Sequence, residues 1–359
     1  MRSVQRIASI GLAIMVSLVL VGCGKEPVEP ATTLDAADAA EFSGILGAGA
    51  TFPAPLYKKW IDEYERTHEG TDLRYEAVGS GEGIQRFIKG VVDFGASDAA
   101  MSDAQIAKVE RGVHLIPATA GMVVLAYNLE GLNGELKLKR DVYLDIFAGN
   151  IQNWNDPRIQ ETNLDLTLPD KTITLVVRRD SSGTTFAFTN HLSAISEEWR
   201  DRGPGVGTLI DWPGEAMTAT GNEGVASRIE ISEGSIGYVE YGFAERLGLP
   251  MAWLENGAGQ FVKPDADSGQ QALASVSADM PSNLRLYVPD PEGENAYPIV
   301  TYSWLLLYNR YPNQEKASAL KEFVTWGLTE GQQYGADFGY VPLPQNVVSM
   351  AEASLAEIQ

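Results

Sequence analysis

Few residues of this 359-residue chain are of the kinds and spacings that catalysis uses. Its three histidines, His68, His114 and His191, share no useful spacing, and there is no HExxH or Cys/His pattern for a metal. Asp180-Ser181-Ser182-Gly183-Thr184 lacks the first glycine of a GxSxG nucleophile turn. Gly79-Ser80-Gly81-Glu82-Gly83 lacks the Lys-Ser/Thr pair of a phosphate-binding P-loop. What recurs instead is a unit of strand, then small and hydroxyl residues, then helix. It occurs at Gly47-Ala48-Gly49-Ala50-Thr51-Phe52-Pro53, at Val78-Gly79-Ser80-Gly81-Glu82-Gly83, and at Arg178-Arg179-Asp180-Ser181-Ser182-Gly183-Thr184-Thr185. A helix N-terminus leaves N–H groups unpaired at the positive end of its dipole; glycine admits a ligand to the backbone, and Ser/Thr add donors. Taken singly, Thr51, Ser80 and Ser182 are explained as helix caps. Three such termini converging make a cradle of neutral donors shaped for a tetrahedral oxyanion.

The elements that must position these loops follow an alternating pattern from Gly44 onward. Ile45 to Gly49 reads as a short buried strand, and Leu56, Trp60 and Tyr64 form one apolar helical face. Strands are expected at Leu73–Val78, Val91–Ala96, His114–Ala118 and Met122–Tyr127, with a helix from Gly83 and a capping box at Ser102-Asp103-Ala104-Gln105. A second stretch of the same kind holds strands at Thr172–Val177 and Ser235–Val239 and helices after Gly183 and Gly221; Ile299–Leu307 (strand) and Glu315–Leu328 (helix) close the chain. This βα rhythm implies an α/β fold of two lobes, each a mostly parallel sheet flanked by helices.

The N-terminus reads as an address. Arg2 and Arg6 precede a 15-residue apolar run, Ile7 to Val21, too short to span a bilayer and ordered as a signal peptide requires. Leu20-Val21-Gly22-Cys23 resembles the bacterial lipobox, which implies acylation of Cys23, the chain's sole cysteine, and attachment to membrane lipid. The expected organisation is a leader over 1–22 and an acylated Cys and solvated tether over 23–42. Removing Arg2 and Arg6 with the leader takes the formal charge from −21 to −23. So acidic a chain is not expected to bind nucleic acid, whose affinity for proteins comes from Lys and Arg on phosphates. The same logic disfavours any anionic ligand at the surface. It does not govern a buried site, where local donors count and the long-range field is screened within ~8 Å at physiological salt.

Five separated segments in order resemble the phosphate-binding proteins of phosphate-specific ABC importers: Gly47 to Pro55, Val92 to Asp98, Val177 to Thr185, Asn222 to Ala226, and Gly234 to Tyr241. The resemblance runs with gaps over residues 44–350. It implies a type II-like periplasmic-binding fold with a double-strand hinge, lobe 1 comprising 43–126 plus 291–359 and lobe 2 comprising 127–290. By matching position, the ligand set would be Thr51, the backbone N–H of Phe52, Ser80, Asp98, Arg178, Ser182, Gly183 and Thr184, with Asp180 supporting Arg178. A one-residue shift of the loop would put Arg179 in the place of Arg178. Two departures from the family pattern stand out, the acid in Gly81-Glu82-Gly83 and Ser181, where the family usually has Gly. Asp98 has a physical reason: a carboxylate beside an anion accepts a hydrogen bond from protonated phosphate and repels sulfate, which has no proton to donate. The resemblance further implies a monomer, exported and lipid-anchored, that passes phosphate to permease subunits without a cofactor or a catalytic group. The alternatives are a phosphomonoesterase using the same cradle and a receptor for another oxyanion such as arsenate.

Overall fold

The computed structural model describes residues 43–359; the leader and the tether with Cys23 lie outside the described residues. The chain begins with β1 (Ile45–Gly49), α1 (Ala54–Thr67), β2 (Leu73–Ala77), α2 (Ser80–Ile88), β3 (Phe94–Ser97) and α3 (Asp103–Ile106). The expected apolar face of α1 is the buried one: Leu56, Trp60 and Tyr64 pack inward with Tyr57 and Ile61. Ser102 and Gln105 form the expected capping box at the start of α3. β3 is shorter than its apolar run, because Val91 is exposed and the Asp93 side chain is spent on the Leu46 N–H and on Lys316.

The expected strands at 114–118 and 122–127 are one continuous strand, β4 (Val113–Tyr127). It is followed by β5 (Lys137–Leu138), α4 (Arg140–Phe147), α5 (Pro157–Gln160), β6 (Thr174–Arg178), α6 (Gly183–Ile195), α7 (Glu197–Asp201), β7 (Met217–Ala219), α8 (Gly221–Glu230), β8 (Ser235–Glu240) and α9 (Tyr241–Arg246). Then come β9 (Trp253–Glu255), β10 (Phe261–Val262), α10 (Ala266–Val276), β11 (Val300–Tyr308), α11 (Gln314–Leu328) and α12 (Gln345–Ala356).

Eight strands form one sheet in the order β2-β1-β3-β11-β4-β8-β6-β7. It is mixed rather than mostly parallel. The outer groups β2-β1-β3 and β8-β6-β7 are parallel, whereas β3-β11, β11-β4 and β4-β8 are antiparallel. The reason is connectivity: β4 carries the chain from one lobe to the other and β11 runs back beside it. Residues 113–122 of β4 pair with β11 and residues 123–127 with β8, so this strand belongs to both lobes. Its pairing slips once, with Ser303 opposite Thr119 and Trp304 opposite Pro117, leaving Ala118 as the extra residue of a bulge. The Ala118 carbonyl is satisfied by the Gln332 side chain at 2.9 Å.

Each lobe has its own aromatic core. Tyr57, Trp60 and Tyr64 fill the first with Phe94 and Phe323; Phe147, Phe188, Trp212 and Tyr238 stack in the second. The lobes are shut on each other. The Gly81 N–H donates to the Ser181 carbonyl at 3.0 Å, and the Asn222 N–H donates to Thr51 Oγ1 at 3.2 Å.

Candidate functional site

The loops singled out by their composition all leave the C-terminal ends of strands, where open α/β sheets bind ligands. Thr51 and Phe52 follow β1, Ser80 opens α2 after β2, and Asp98 follows β3. Arg178 ends β6, and Ser182 caps α6 with its Oγ accepting from the Thr185 N–H at 3.1 Å. Gly79, with φ of 92°, turns the chain from β2 into α2; a side chain there would also meet Asp180 Oδ2. Gly183 sits against the opposite lobe, where an added Cβ would lie 2.6 Å from Asp98 Cβ and from Ser80 Oγ. Phe52, Ser80, Asp98, Arg178, Ser182, Gly183 and Thr184 are all buried and Thr51 half-buried; Gly183 meets Asp98 and Ser80, Arg178 reaches Thr184, and Asn222 links Thr184 to Thr51.

Arg178 and Arg179 are separated by strand alternation. Arg178 points inward, its side chain 2% exposed, and grips Asp180 through two hydrogen bonds, Nε to Oδ1 at 2.8 Å and Nη2 to Oδ2. Its Nη1 faces Thr184 Oγ1 at 3.5 Å. Arg179 is exposed and donates to Thr220 Oγ1. Burial pushes the Asp180 carboxyl upward, but Arg178 and the Gly221 N–H outweigh it and hold the group below the usual carboxylate range. Glu82 turns outward, half-exposed, and pairs with Arg86 at 2.8 Å, so the acid in this loop does not face the cleft.

Asp98 is the one carboxylate among these donors that Arg178 does not already hold. Burial pushes it from its ordinary value of 3.8 up to about 7, against the opposing effects of a hydrogen bond from Ser303, the Arg178 charge and Ser80. Ser303 Oγ donates to Asp98 Oδ1 at 2.7 Å, and the Asp98 N–H donates to Ser80 Oγ at 3.3 Å. Oδ1 is thereby occupied, and Oδ2 lies on the Ser80 side at 3.5 Å.

The donors left over define the chemistry. Ser182 N–H is spent on the Thr208 carbonyl at 2.7 Å, but the Ser182 hydroxyl proton is not committed by the cap, since its oxygen acts there as acceptor. Gly183 and Thr184 open α6 and have no carbonyl four residues back within the helix. With the Arg178 guanidinium beside them, these groups present N–H and O–H to one point and Asp98 offers a single acceptor. That set fits a tetrahedral oxyanion that carries a proton. Among the described residues no cluster of His, Cys, Asp or Glu could hold a metal, and no helix is long and apolar enough to cross a membrane.

Four supporting residues were given no role by the sequence reading. Ser303 is one of two small hydroxyl residues, with Thr301, in the apolar run of β11, where buried polar side chains need partners. Asn222 follows Gly221 at the start of α8, a fourth strand-Gly-polar-helix unit. Tyr238 is central to β8, and its hydroxyl takes the Arg178 N–H at 3.1 Å and pairs with Thr185 Oγ1 at 2.8 Å. Thr208, whose carbonyl and hydroxyl clamp Ser182 and Ser181, carries no signal in its neighbourhood.

The fold and site are those of a periplasmic-type binding protein, and comparison with known proteins narrows the class. Residues 30–330 match the family model of the PBP superfamily domain. The chain is 39% identical over 310 residues to the phosphate-binding protein PstS of Pasteurella multocida, covering 86% of this chain and 89% of that one. It is 38% identical over 328 residues to PstS of Methanocaldococcus jannaschii, covering 85% and 84%. Among solved structures, a phosphate-binding protein from Stenotrophomonas maltophilia superposes with a TM-score of 0.70 at 19% identity, covering 87% and 94%. The chain belongs to the PstS family of phosphate-binding proteins.

Proposed function

We propose that this protein is an exported receptor that encloses inorganic phosphate between its two lobes and delivers it to the permease subunits of an ABC importer. The observation that carries the reading is a single buried acceptor, Asp98, in a shell otherwise made of donors. An anion with a proton to give satisfies that carboxylate, and one without leaves two negative groups face to face. Membership of the PstS family points to the same ligand. In this reading Thr51, the N–H of Phe52, Ser80, Asp98, Arg178, Ser182, Gly183 and Thr184 bind phosphate, while Asp180 supports Arg178. Residues 43–126 and 291–359 form one lobe and 127–290 the other, with β4 crossing between them and its last residues paired to the second lobe. The receptor works as a monomer, held to membrane lipid through acylated Cys23 at the end of the tether.

Hydrolysis finds no support in the site. Ser182 is engaged as a helix cap, and the three histidines are committed elsewhere: His191 to Tyr143 and Pro289, His114 to Ser354, and His68 to Thr67 and Tyr64. Membership of a family of phosphate-binding proteins makes the chain a binding component of transport. Calorimetric titration of residues 24–359, stripped of endogenous ligand, tests the assignment. Phosphate should bind tightly and sulfate weakly, by a ratio on the order of 10⁴ for a site built around a required hydrogen bond. Equal affinity for the two anions would sink it.

A further inference from the structure

One side chain outside the expected ligand set holds two of its hydroxyls at once. Asn222, the second residue of α8, is fully buried. Its backbone N–H donates to Thr51 Oγ1 at 3.2 Å, and its Nδ2 donates to Thr51 Oγ1 at 3.1 Å and to Thr184 Oγ1 at 3.2 Å. Its Oδ1 accepts the Glu240 N–H at 3.0 Å and faces Thr184 Oγ1 at 3.5 Å. The Glu240 N–H needs an acceptor, so the amide orientation is not free: oxygen faces β8 and nitrogen faces the hydroxyls. A threonine hydroxyl has two lone pairs and one proton. On Thr51 both lone pairs are taken by Asn222, and what remains is a donor. On Thr184 the Nδ2 proton and Arg178 Nη1 approach the oxygen in the same sense.

The placement matters as much as the bonding. Thr51 follows β1 in one lobe and Asn222 follows β7 in the other, so their contact exists only when the lobes are shut. The approach is close at the neighbouring residue too, since a Cβ added to Gly221 would stand 3.3 Å from Thr51 Cγ2. We propose that Asn222 is a positioning residue that couples lobe closure to the aiming of the anion's hydroxyl donors. As the lobes meet, Asn222 fills the lone pairs of Thr51 and turns its proton toward the phosphate, while holding Thr184 ready on the opposite side. Donors oriented in advance lose less freedom on binding, so the contact adds to the lifetime of the closed complex rather than to the rate of encounter. This inference rests on the phosphate reading of the site.

The test is stopped-flow measurement of phosphate association and release on the chain of residues 24–359. Asn222→Ala should leave the association rate within about threefold and raise the release rate by roughly 10–100-fold, the worth of one or two misaimed hydrogen bonds to an anion. In a Thr51→Val background, the same Asn222→Ala change should raise release at least about fivefold less than in the wild type, because one of the two hydroxyls it acts through is gone and only Thr184 remains. Asn222→Asp keeps an acceptor for the Glu240 N–H, so it guards against misfolding of the alanine variant. Its carboxylate would draw both hydroxyl protons away from the anion, and release should be at least as fast as in Asn222→Ala. An unchanged release rate in folded variants, or an equal penalty in both backgrounds, overturns the proposal. Wild-type protein that fails to bind phosphate would instead overturn the reading beneath it.

Discussion

Replacing Asp98 by asparagine removes a buried charge while keeping shape, and its consequences can be worked through. With the lobes shut, burial lifts this carboxyl from 3.8 to about 7. A shift of about three pH units corresponds to roughly 4 kcal/mol against the ionised form. The sign follows from proton linkage. The folded protein keeps the Asp98 proton at pH values where the unfolded chain has released it, so stability falls as pH rises from about 4 to about 7 and is level above that. An asparagine side chain cannot ionise and escapes this loss. The stability advantage of Asp98→Asn over the wild type should therefore grow between pH 5 and pH 8 by about 2–3 kcal/mol at most; opening of the empty lobes hydrates the carboxylate and reduces it. Urea unfolding of the stripped protein at the two pH values measures the change. The ligand arm runs in the opposite sense. Phosphate loses its acceptor and should bind roughly 10-fold or more weakly, the worth of one charge-assisted hydrogen bond. Sulfate gains an N–H donor and loses a like charge, and should bind at least ~100-fold more tightly. A stability difference that does not vary with pH, together with unchanged sulfate affinity, would refute the argument.

Three further outcomes follow from the same geometry. Gly183→Ala places a Cβ 2.6 Å from Asp98 Cβ and Ser80 Oγ, which belong to the other lobe, so it obstructs closure without disturbing α6; ligand-free stability should hold or rise by up to ~1 kcal/mol, while calorimetry should find phosphate affinity down at least ~100-fold, and affinity within threefold of wild type would contradict the steric reading. Ser303→Ala removes the 2.7 Å bond that opposes the effect of burial on Asp98; the midpoint of the Asp98-dependent fall in stability should move to higher pH, and phosphate affinity should drop about 10-fold, with an unmoved midpoint counting against the role. Arg178→Ala should cost about 3–5 kcal/mol in urea unfolding, because it strands the largely buried Asp180 without its partner, whereas Arg179→Ala should leave phosphate affinity within about twofold; the reverse ranking would mean that the loop register is wrong.

Much of the site was legible because its chemistry is local. A strand that stops, a glycine, a hydroxyl and a helix that starts are contiguous in the chain, and unpaired N–H groups follow from helix geometry alone. Arg178 and Asp180 lie two residues apart and pair directly. The residues that tune the site were hidden because their partners are remote. Ser303 lies 205 positions from Asp98, and Asn222 lies 171 from Thr51. No window of sequence contains both members of either pair. The choice between Arg178 and Arg179 was likewise undecidable until strand alternation turned one inward and the other to solvent.

By itself, the order of residues determined the α/β class and the loops that carry donors, since each depends on periodicity or on neighbours in the chain, whereas the acceptor Asp98 was implied only by the resemblance to a family. Tertiary structure decided the rest. It made β4 one strand shared by two lobes and the sheet mixed, because a chain that crosses between lobes and returns must run antiparallel to itself. It also reconciled a net charge of −21 with an anion site. Closure buries the site residues, and inside that enclosure a guanidinium and oriented N–H and O–H groups a few ångströms away outweigh carboxylates that water and salt screen at the surface.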